Sequence, residues 1–228
     1  MGCDRAAKTA LFEQFARVGK TLAHPTRLEL LDLLAQGERT VDALAAGVGL
    51  AVNTTSAHLQ TLKRAQVVTT RREGTRIYYA LSGDDVAGLY AQLRAVAQLH
   101  LADTDAARRT YLGITGTATD ATEEVDQDDL LRRSRDGHTV VLDVRPREEY
   151  AYAHVPGALS IPADELPERL SELPPDRTIV AYCRGSYCVL AYDAVRVLQA
   201  QGYDAVRLAE GMLEWRLAGM PVNTGAAA

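Results

Sequence analysis

Cysteine is scarce in this chain: three in 228 residues, too few for a disulfide-stapled scaffold. No apolar run approaches the roughly 20 residues that cross a bilayer, and no N-terminal stretch has the basic-then-apolar layout of a secretory signal. A cytoplasmic protein without a membrane partner is expected. Disorder is excluded by an apolar content of 47%, enough to build real cores. Internal repeats are missing as well. A chain of this length then holds two domains of ordinary size or one large one.

Net positive charge is also lacking. The total is −5, which argues against nucleic-acid binding by the chain as a whole. The halves differ, however. Residues 1–100 carry 12 Lys/Arg against 9 Asp/Glu, whereas residues 101–228 carry 13 against 21. This asymmetry points to a nucleic-acid-facing first half and a second half with another task.

The first half reads as helices followed by a hairpin. Apolar residues recur at helical spacing over 11–22. His24-Pro25-Thr26-Arg27 restarts a helix, with Pro25 suited to its first position, and Gly37 ends it. Residues 40–46 make a short helix, broken by Gly47-Val48-Gly49. Asn53 and Thr54 are placed to cap the next helix, which runs to about residue 65. Two β-rich runs, 67–72 and 75–81, flank the hairpin signal Glu73-Gly74. Asp84-Asp85 opens a last long helix through about residue 109.

Helix, turn, helix and basic hairpin together are the layout of a winged helix over 24–81. Its recognition helix should turn Asn53, Thr54, Thr55, Ser56, His58 and Gln60 outward, where short polar side chains reach base edges or phosphates. Leu59 and Leu62 should face the core. Lys63, Arg64, Arg71, Arg72 and Arg76 cluster around a single acid, Glu73, as phosphate contact requires.

His24-Pro25-Thr26-Arg27-Leu28 and Thr55-Ser56-Ala57-His58-Leu59, with the wing at 71–79, resemble the ArsR/SmtB family of bacterial repressors. The resemblance covers about residues 8–105. It implies a homodimer on double-stranded DNA at a short inverted repeat, with terminal helices packed across the two-fold axis. One family feature is missing. Metal-sensing members place paired cysteines before the recognition helix, and here Glu38-Arg39-Thr40-Val41-Asp42-Ala43-Leu44 has no thiol. His100 and Asp103 come nearest to a terminal-helix site, and two ligands do not make a tetrahedral zinc site. Neither a metal nor another cofactor is expected.

The second half alternates helices and strands, the pattern of an α/β domain with a mainly parallel sheet. Before it, residues 113–124 are small and polar, a linker composition. The central feature is Cys183-Arg184-Gly185-Ser186-Tyr187-Cys188, between the strand 178–182 and a helix from Val189. A cysteine at a helix N-terminus is favoured as thiolate, its reactive form. Backbone N–H groups of Arg184, Gly185, Ser186, Tyr187 and Cys188 can cradle an anion. Arg184 adds positive charge, and Gly185 permits backbone angles that other residues avoid.

Asp143-Val144-Arg145, His154-Val155-Pro156-Gly157-Ala158, Cys183-Arg184-Gly185 and Gly211-Met212-Leu213-Glu214-Trp215 occur in the order of a single-domain rhodanese, which residues 125–222 resemble. The resemblance implies sulfane-sulfur transfer. Cys183 would take sulfur from thiosulfate, a persulfide or a polysulfide and pass it on. Asp143 and Arg145 would hold the loop, and His154 would be structural. Cysteine phosphatases need an arginine six positions after the cysteine; Val189 stands there, so a phosphatase is not expected. Cys188 has two readings: a resolving thiol that leaves a disulfide with Cys183, or an inert residue of the first helical turn. Cys3 reads as an incidental surface thiol.

The expected order is an α+β winged helix-turn-helix domain for DNA binding and dimerisation (1–110), a linker (111–124), an α/β rhodanese-like domain (125–222) and a disordered tail (223–228). A homodimeric repressor sensing or transferring sulfane sulfur through a Cys183 persulfide follows. The rivals are a sulfurtransferase regulated by its own DNA-binding domain and a thiol-based arsenic-responsive repressor.

Overall fold

The helical spacing of the first half and the strand–helix alternation of the second each build their own unit. The computed structural model describes residues 4–114, 123–135 and 137–226. Two compact units divide between Tyr90 and Ala91.

In the first unit, helix α1 (Arg5–Leu22) starts on Asp4, whose carboxylate accepts the Ala6 N–H at 2.9 Å. That cap starts the helix ahead of the apolar run at 11–22. Helix α2 (Pro25–Ala35) opens on Pro25, as its missing N–H allows. Thr40 caps α3 (Val41–Gly47), and α4 (Val52–Arg64) follows. Strands β1 (Arg39–Thr40), β2 (Val68–Glu73) and β3 (Arg76–Leu81) form an antiparallel sheet in the order β1-β3-β2. Gly74 turns the hairpin at φ 58°, which costs glycine little. Leu30, Leu31, Leu44, Leu59 and Leu62 are fully buried, each contributing about 1.5–3 kcal/mol.

The long helix expected over 84–109 is two helices, α5 (Asp84–His100) and α6 (Asp103–Tyr111). The Thr104 N–H donates to the Leu101 carbonyl and its hydroxyl to the Ala97 carbonyl, both at 3.1 Å. Asp103 and Asp105 then occupy a fresh helix N-terminus, where the dipole favours acids. The unit boundary falls inside α5, about 20 residues before the position expected from composition. From Ala91 onward α5 belongs to the second unit, and so does α6.

The second unit centres on a parallel sheet. Strands β4 (Glu124–Val125), β5 (Thr139–Asp143), β6 (Leu159–Ser160), β7 (Thr178–Tyr182) and β8 (Ala205–Leu208) lie in the order β4-β8-β7-β5-β6. Between them run α7 (Gln127–Arg135), α8 (Arg147–Tyr152), α9 (Leu166–Arg169) and α10 (Val189–Ala200), and α11 (Met212–Leu217) follows β8. After Thr178, strand β7 is buried from Ile179 to Tyr182 because both of its faces are covered. Val180 and Tyr182 enter one apolar cluster, with Trp215 and Met212; Ile179 and Ala181 enter the other, with Val195 and Leu198.

The expected α+β unit and parallel α/β unit are thus both present. The tail expected from residue 223 is held at its start. Asn223 pairs antiparallel with His154, and the Gly225 N–H donates to the Ala151 carbonyl at 2.8 Å. Of the expected linker, residues 115–122 lie outside the described residues, as does Cys3.

Candidate functional site

Strand β7 delivers Cys183. Side chains alternate along a strand, so Ile179, Ala181 and Cys183 share the cluster that α10 covers, and Cys183 is only 2% exposed. The chain turns at once: the Cys188 N–H donates to the Gly185 carbonyl at 3.0 Å. Cys188 then takes the N-cap position of α10. The turn brings the two Cα atoms to 6.1 Å, and the Sγ atoms of Cys183 and Cys188 are bonded to each other. One of the five amides expected to face an anion, that of Cys188, is therefore committed to the turn itself.

The loop rests on the start of α11. The Met212 N–H donates to the Cys183 carbonyl at 2.9 Å and the Leu213 N–H to the Arg184 carbonyl at 3.0 Å. This contact requires glycine at 211. A Cβ there would stand 2.2 Å from the Gly185 nitrogen and 2.4 Å from its Cα, a clash with backbone. The Gly211 N–H is held by the Glu214 carboxylate at 3.0 Å. Gly185 has a different role from the one expected. Its φ is outside the left-handed region. What it supplies is space, since a Cβ would meet Glu214 Oε2 at 3.1 Å and Arg94 Nη1 at 3.4 Å.

Charge around the loop is internally paired. Arg184, expected to lend positive charge, donates to both oxygens of Glu149 on α8, at 2.7–3.1 Å. Glu149 is buried, so the pair holds the loop to α8 more than it attracts an anion. Deeper still, Arg145 donates to Asp143 at 2.6 Å and to the Ala153 carbonyl at 2.7 Å. Burial works against the Arg145 charge, but Asp143 outweighs it and keeps the guanidinium protonated. The Tyr182 hydroxyl donates to Asp143 at 2.5 Å and accepts the Val155 N–H at 3.1 Å. Burial and the Asp143 carboxylate raise its pKa well above the ordinary tyrosine value, which preserves it as a donor. Asp143 and Arg145 thus hold the end of β5 against β7 and the segment after α8. His154 stacks on Tyr150 at 3.7 Å, and its Nδ1 pairs with the Tyr150 carbonyl at 2.8 Å.

Tyr187 reaches a helix that sequence reasoning left out of the site. Its hydroxyl donates to Gln98 Oε1 at 2.6 Å, and the Arg94 guanidinium lies 4.6 Å over its ring. Arg94 also pairs with Glu214 at 3.2 Å. Both Arg94 and Gln98 come from the part of α5 that belongs to the second unit. Their i, i+4 spacing was readable, but nothing local says which loop they meet. Glu149, Gly211 and Glu214 were likewise outside the expected set.

In the first unit, Asn53, Thr54 and Gln60 of α4 are exposed, and Ser56 and His58 are half-buried. Thr55 is not outward. It is fully buried, and its hydroxyl donates to the Ala51 carbonyl at 3.1 Å. Residues 55, 59 and 62 share one helical face, so Thr55 joins Leu59 and Leu62 in the core. Asn53 and Thr54 are inside the first turn, and Ala51 holds the cap position; Asn53 instead accepts the Thr54 N–H at 2.8 Å. His58 packs against His24, with ring centres 4.5 Å apart and the rings tilted by 48°. Lys63, Arg64, Arg71, Arg72 and Arg76 are all exposed. Arg71 is bound by Glu38 at 2.5 Å and by Glu73 at 2.7 Å, so its charge is largely answered within the wing. Among the described residues no three His, Cys, Asp or Glu side chains converge as a metal site.

Comparison with known proteins agrees with both halves. Residues 22–71 match the model of a helix-turn-helix domain, and residues 126–218 match that of a rhodanese-like domain. The chain is 52% identical over 219 residues to the HTH-type transcriptional regulator Rv0324 of Mycobacterium tuberculosis, covering 96% of this chain and 94% of that one. It is 38% identical over 101 residues to a sulfurtransferase of Allochromatium vinosum, covering 43% of this chain and 92% of that one. Among solved structures, it is similar to the homodimeric winged helix-turn-helix DNA-binding domain of a possible ArsR-family regulator from Mycobacterium bovis. That likeness has 52% identity and a TM-score of 0.41, and covers 44% of this chain and 94% of that one.

Proposed function

This chain belongs to the HTH-type transcriptional regulators that carry a C-terminal rhodanese-like domain, and we propose that it is a homodimeric repressor whose DNA affinity is set by sulfane sulfur at Cys183. The observation that carries the reading is the bond between Cys183 and Cys188 at the two ends of one loop. A single reactive cysteine suits repeated sulfur transfer. A second thiol within bonding distance suits a device that records one event.

The chemistry balances without an outside oxidant. The Cys183 thiolate attacks the outer sulfur of thiosulfate, forming a persulfide and releasing sulfite; a polysulfide donor releases a shorter polysulfide instead. The Cys188 thiolate then attacks Cys183 Sγ. The Sγ–Sγ bond forms, the bond to the outer sulfur breaks, and hydrosulfide leaves with the proton that Cys188 gave up. The sulfane sulfur is the oxidant. The Met212 and Leu213 N–H groups hold the Cys183 and Arg184 carbonyls of the loop.

The DNA-facing surface is the outer side of α4 with the wing, where Asn53, Thr54, Ser56, His58 and Gln60 face base edges and Lys63, Arg64, Arg72 and Arg76 face phosphates. Dimerisation is supported by exposed apolar side chains at helical spacing. Leu11, Phe12 and Phe15 on α1, and Leu89, Leu93 and Val96 on α5, are 38–59% exposed. A two-fold dimer implies an inverted repeat as operator.

The test is a DNA-binding titration of the full chain on the region upstream of its own coding sequence. It is run reduced and after polysulfide, with Cys183→Ser and Cys188→Ser alongside. The expected result is weaker binding after polysulfide in the wild type only. Equal affinity in every state would sink the reading. A second reading, an enzyme that turns over sulfur repeatedly, draws on the 38% identity to a sulfurtransferase. Sustained multiple turnover with thiosulfate would favour it; release of one sulfur per Cys183 followed by arrest favours the sensor.

A further inference from the structure

The reactive loop is not closed by the rhodanese-like segment alone. The matching segment begins at residue 126, yet two of the side chains that hold the loop come from α5, more than 25 residues earlier. Gln98 accepts the Tyr187 hydroxyl at 2.6 Å, and Arg94 lies over the Tyr187 ring at 4.6 Å while pairing with Glu214. Arg94 Nη1 also stands 3.4 Å from where a Gly185 Cβ would be, so the guanidinium is packed against the backbone of the loop itself. Tyr187 immediately precedes Cys188. Any change in the turn that carries Cys188 therefore reaches Tyr187.

We infer that Arg94 and Gln98 are positioning residues for the Cys183–Cys188 pair, and that α5 is the element that registers whether the two sulfurs are bonded. The inference rests on the sulfur reading given above and specifies its regulation. With the sulfurs bonded, Tyr187 is seated on α5. When Cys188 is released from Cys183, the turn relaxes and this seat loosens. Linkage makes the effect mutual: contacts made better in the bonded state favour that state, and removing them makes the bond easier to reduce.

Helix α5 is suited to pass the state on because it has two working faces. Arg94 and Gln98, at i and i+4, meet the loop. Leu89, Leu93 and Val96, at i, i+4 and i+7, form the exposed apolar stripe assigned above to the dimer. Within the second unit, Leu93 and Val96 lie on the same helical turns as Arg94 and Gln98, so a shift driven from the first face reaches them.

The experiment uses the full chain in a Cys3→Ser background, so that only Cys183 and Cys188 are counted. The protein is equilibrated against dithiothreitol at graded ratios of its reduced and oxidised forms, and free thiols are counted by alkylation and mass. Gln98→Ala and Tyr187→Phe are each expected to make the disulfide about fivefold easier to reduce, the loss of one hydrogen bond. Arg94→Ala, which loses the ring contact and the ion pair together, is expected to shift it about tenfold. Arg94→Lys, which keeps the charge beside Glu214, should fall between wild type and Arg94→Ala.

Disulfide equilibria within twofold of wild type in all four variants would overturn the inference. Tyr187→Phe keeps the ring and removes one oxygen, so it decides the matter if Arg94→Ala fails to fold. The two proposals fail separately. If wild-type DNA affinity ignores sulfur while the disulfide equilibrium follows Arg94 and Gln98, the sensor reading falls and the positioning roles stand. If DNA affinity follows sulfur while the equilibrium ignores α5, the positioning roles fall and the sensor reading stands.

Discussion

Among the described residues, the buried polar ones of the first unit are Thr21, Gln36 and Thr55, all uncharged; those of the second include Asp143, Arg145, Glu149 and Arg207. The first unit keeps its charges outside, at Lys63, Arg64, Arg72 and Arg76, where a polyanion can collect them. The second unit places charge inside, where each ion is matched by a partner, as Arg145 is by Asp143 and Arg184 by Glu149. Charge at a surface attracts; charge in an interior positions. Desolvation makes the difference, because a buried ion without its partner is strongly penalised, and so the pair permits one arrangement only.

That contrast is sharpest at Arg145. Arg145→Ala leaves the Asp143 carboxylate buried and uncompensated, and should destabilise the second unit by about 3–5 kcal/mol. The only tryptophan, Trp215, is buried there, so urea unfolding followed by its fluorescence reports this unit directly. A loss under about 1 kcal/mol would mean that the interior charges do not hold the fold.

Gly211→Ala comes next. Its new methyl would press on the backbone of Gly185, costing about 1–3 kcal/mol and displacing the loop. Polysulfide should then load Cys183 far more slowly, as followed by mass. Normal loading would show that the loop does not need its seat on α11.

On the surface side the expected effects are smaller and depend on salt. Arg76→Ala should weaken DNA binding evenly across sequences and lower the slope of log affinity against log salt by about 1. Arg71→Ala should lower it less, because Glu38 and Glu73 already answer that charge. Equal slopes for the two variants would erase the distinction between a free and an internally paired surface charge.

The smallest effect concerns pH. Burial, then His24 and Arg27, lower the His58 pKa below its ordinary value of 6.5. A histidine whose folded pKa is depressed takes up its proton more readily when unfolded. Its contribution to stability is therefore present above about 6.5 and is lost as pH falls from there toward the folded value. The first unit should lose stability over that window, and His58→Gln should flatten the loss. Thermal melts by circular dichroism from pH 7.5 to 5.5 would check both.

Much of this molecule was legible in local pattern. Helical spacing and Pro25 placed α2; Gly74 between β-rich runs placed the wing; the β-rich run Thr178–Tyr182 before Cys183 placed β7 and the cysteine loop. Such features are settled by neighbours along the chain, through hydrogen-bonding period and backbone preference. Errors arose where distant partners decide. Thr55 looks like a recognition residue until the helix phase set by Leu59 and Leu62 turns it inward. The pattern over 84–109 looks like one helix until Thr104 bonds back to Ala97. Arg184 looks like a lure for anions until Glu149, 35 positions earlier, takes its Nε and Nη2 donors.

Two assignments follow the same division. The order of domains, the loop cysteine Cys183 and its second thiol Cys188 belong to the sequence, because motif spacing along one chain specifies them. That the two sulfurs meet, that Gly185 lies close under Glu214 and Arg94, and that α5 supplies Arg94 and Gln98 to the loop belong to the tertiary structure. Those contacts join residues up to about 120 positions apart, as between Arg94 and Glu214, and only packing selects them among the many alternatives that the same side chains would satisfy equally well.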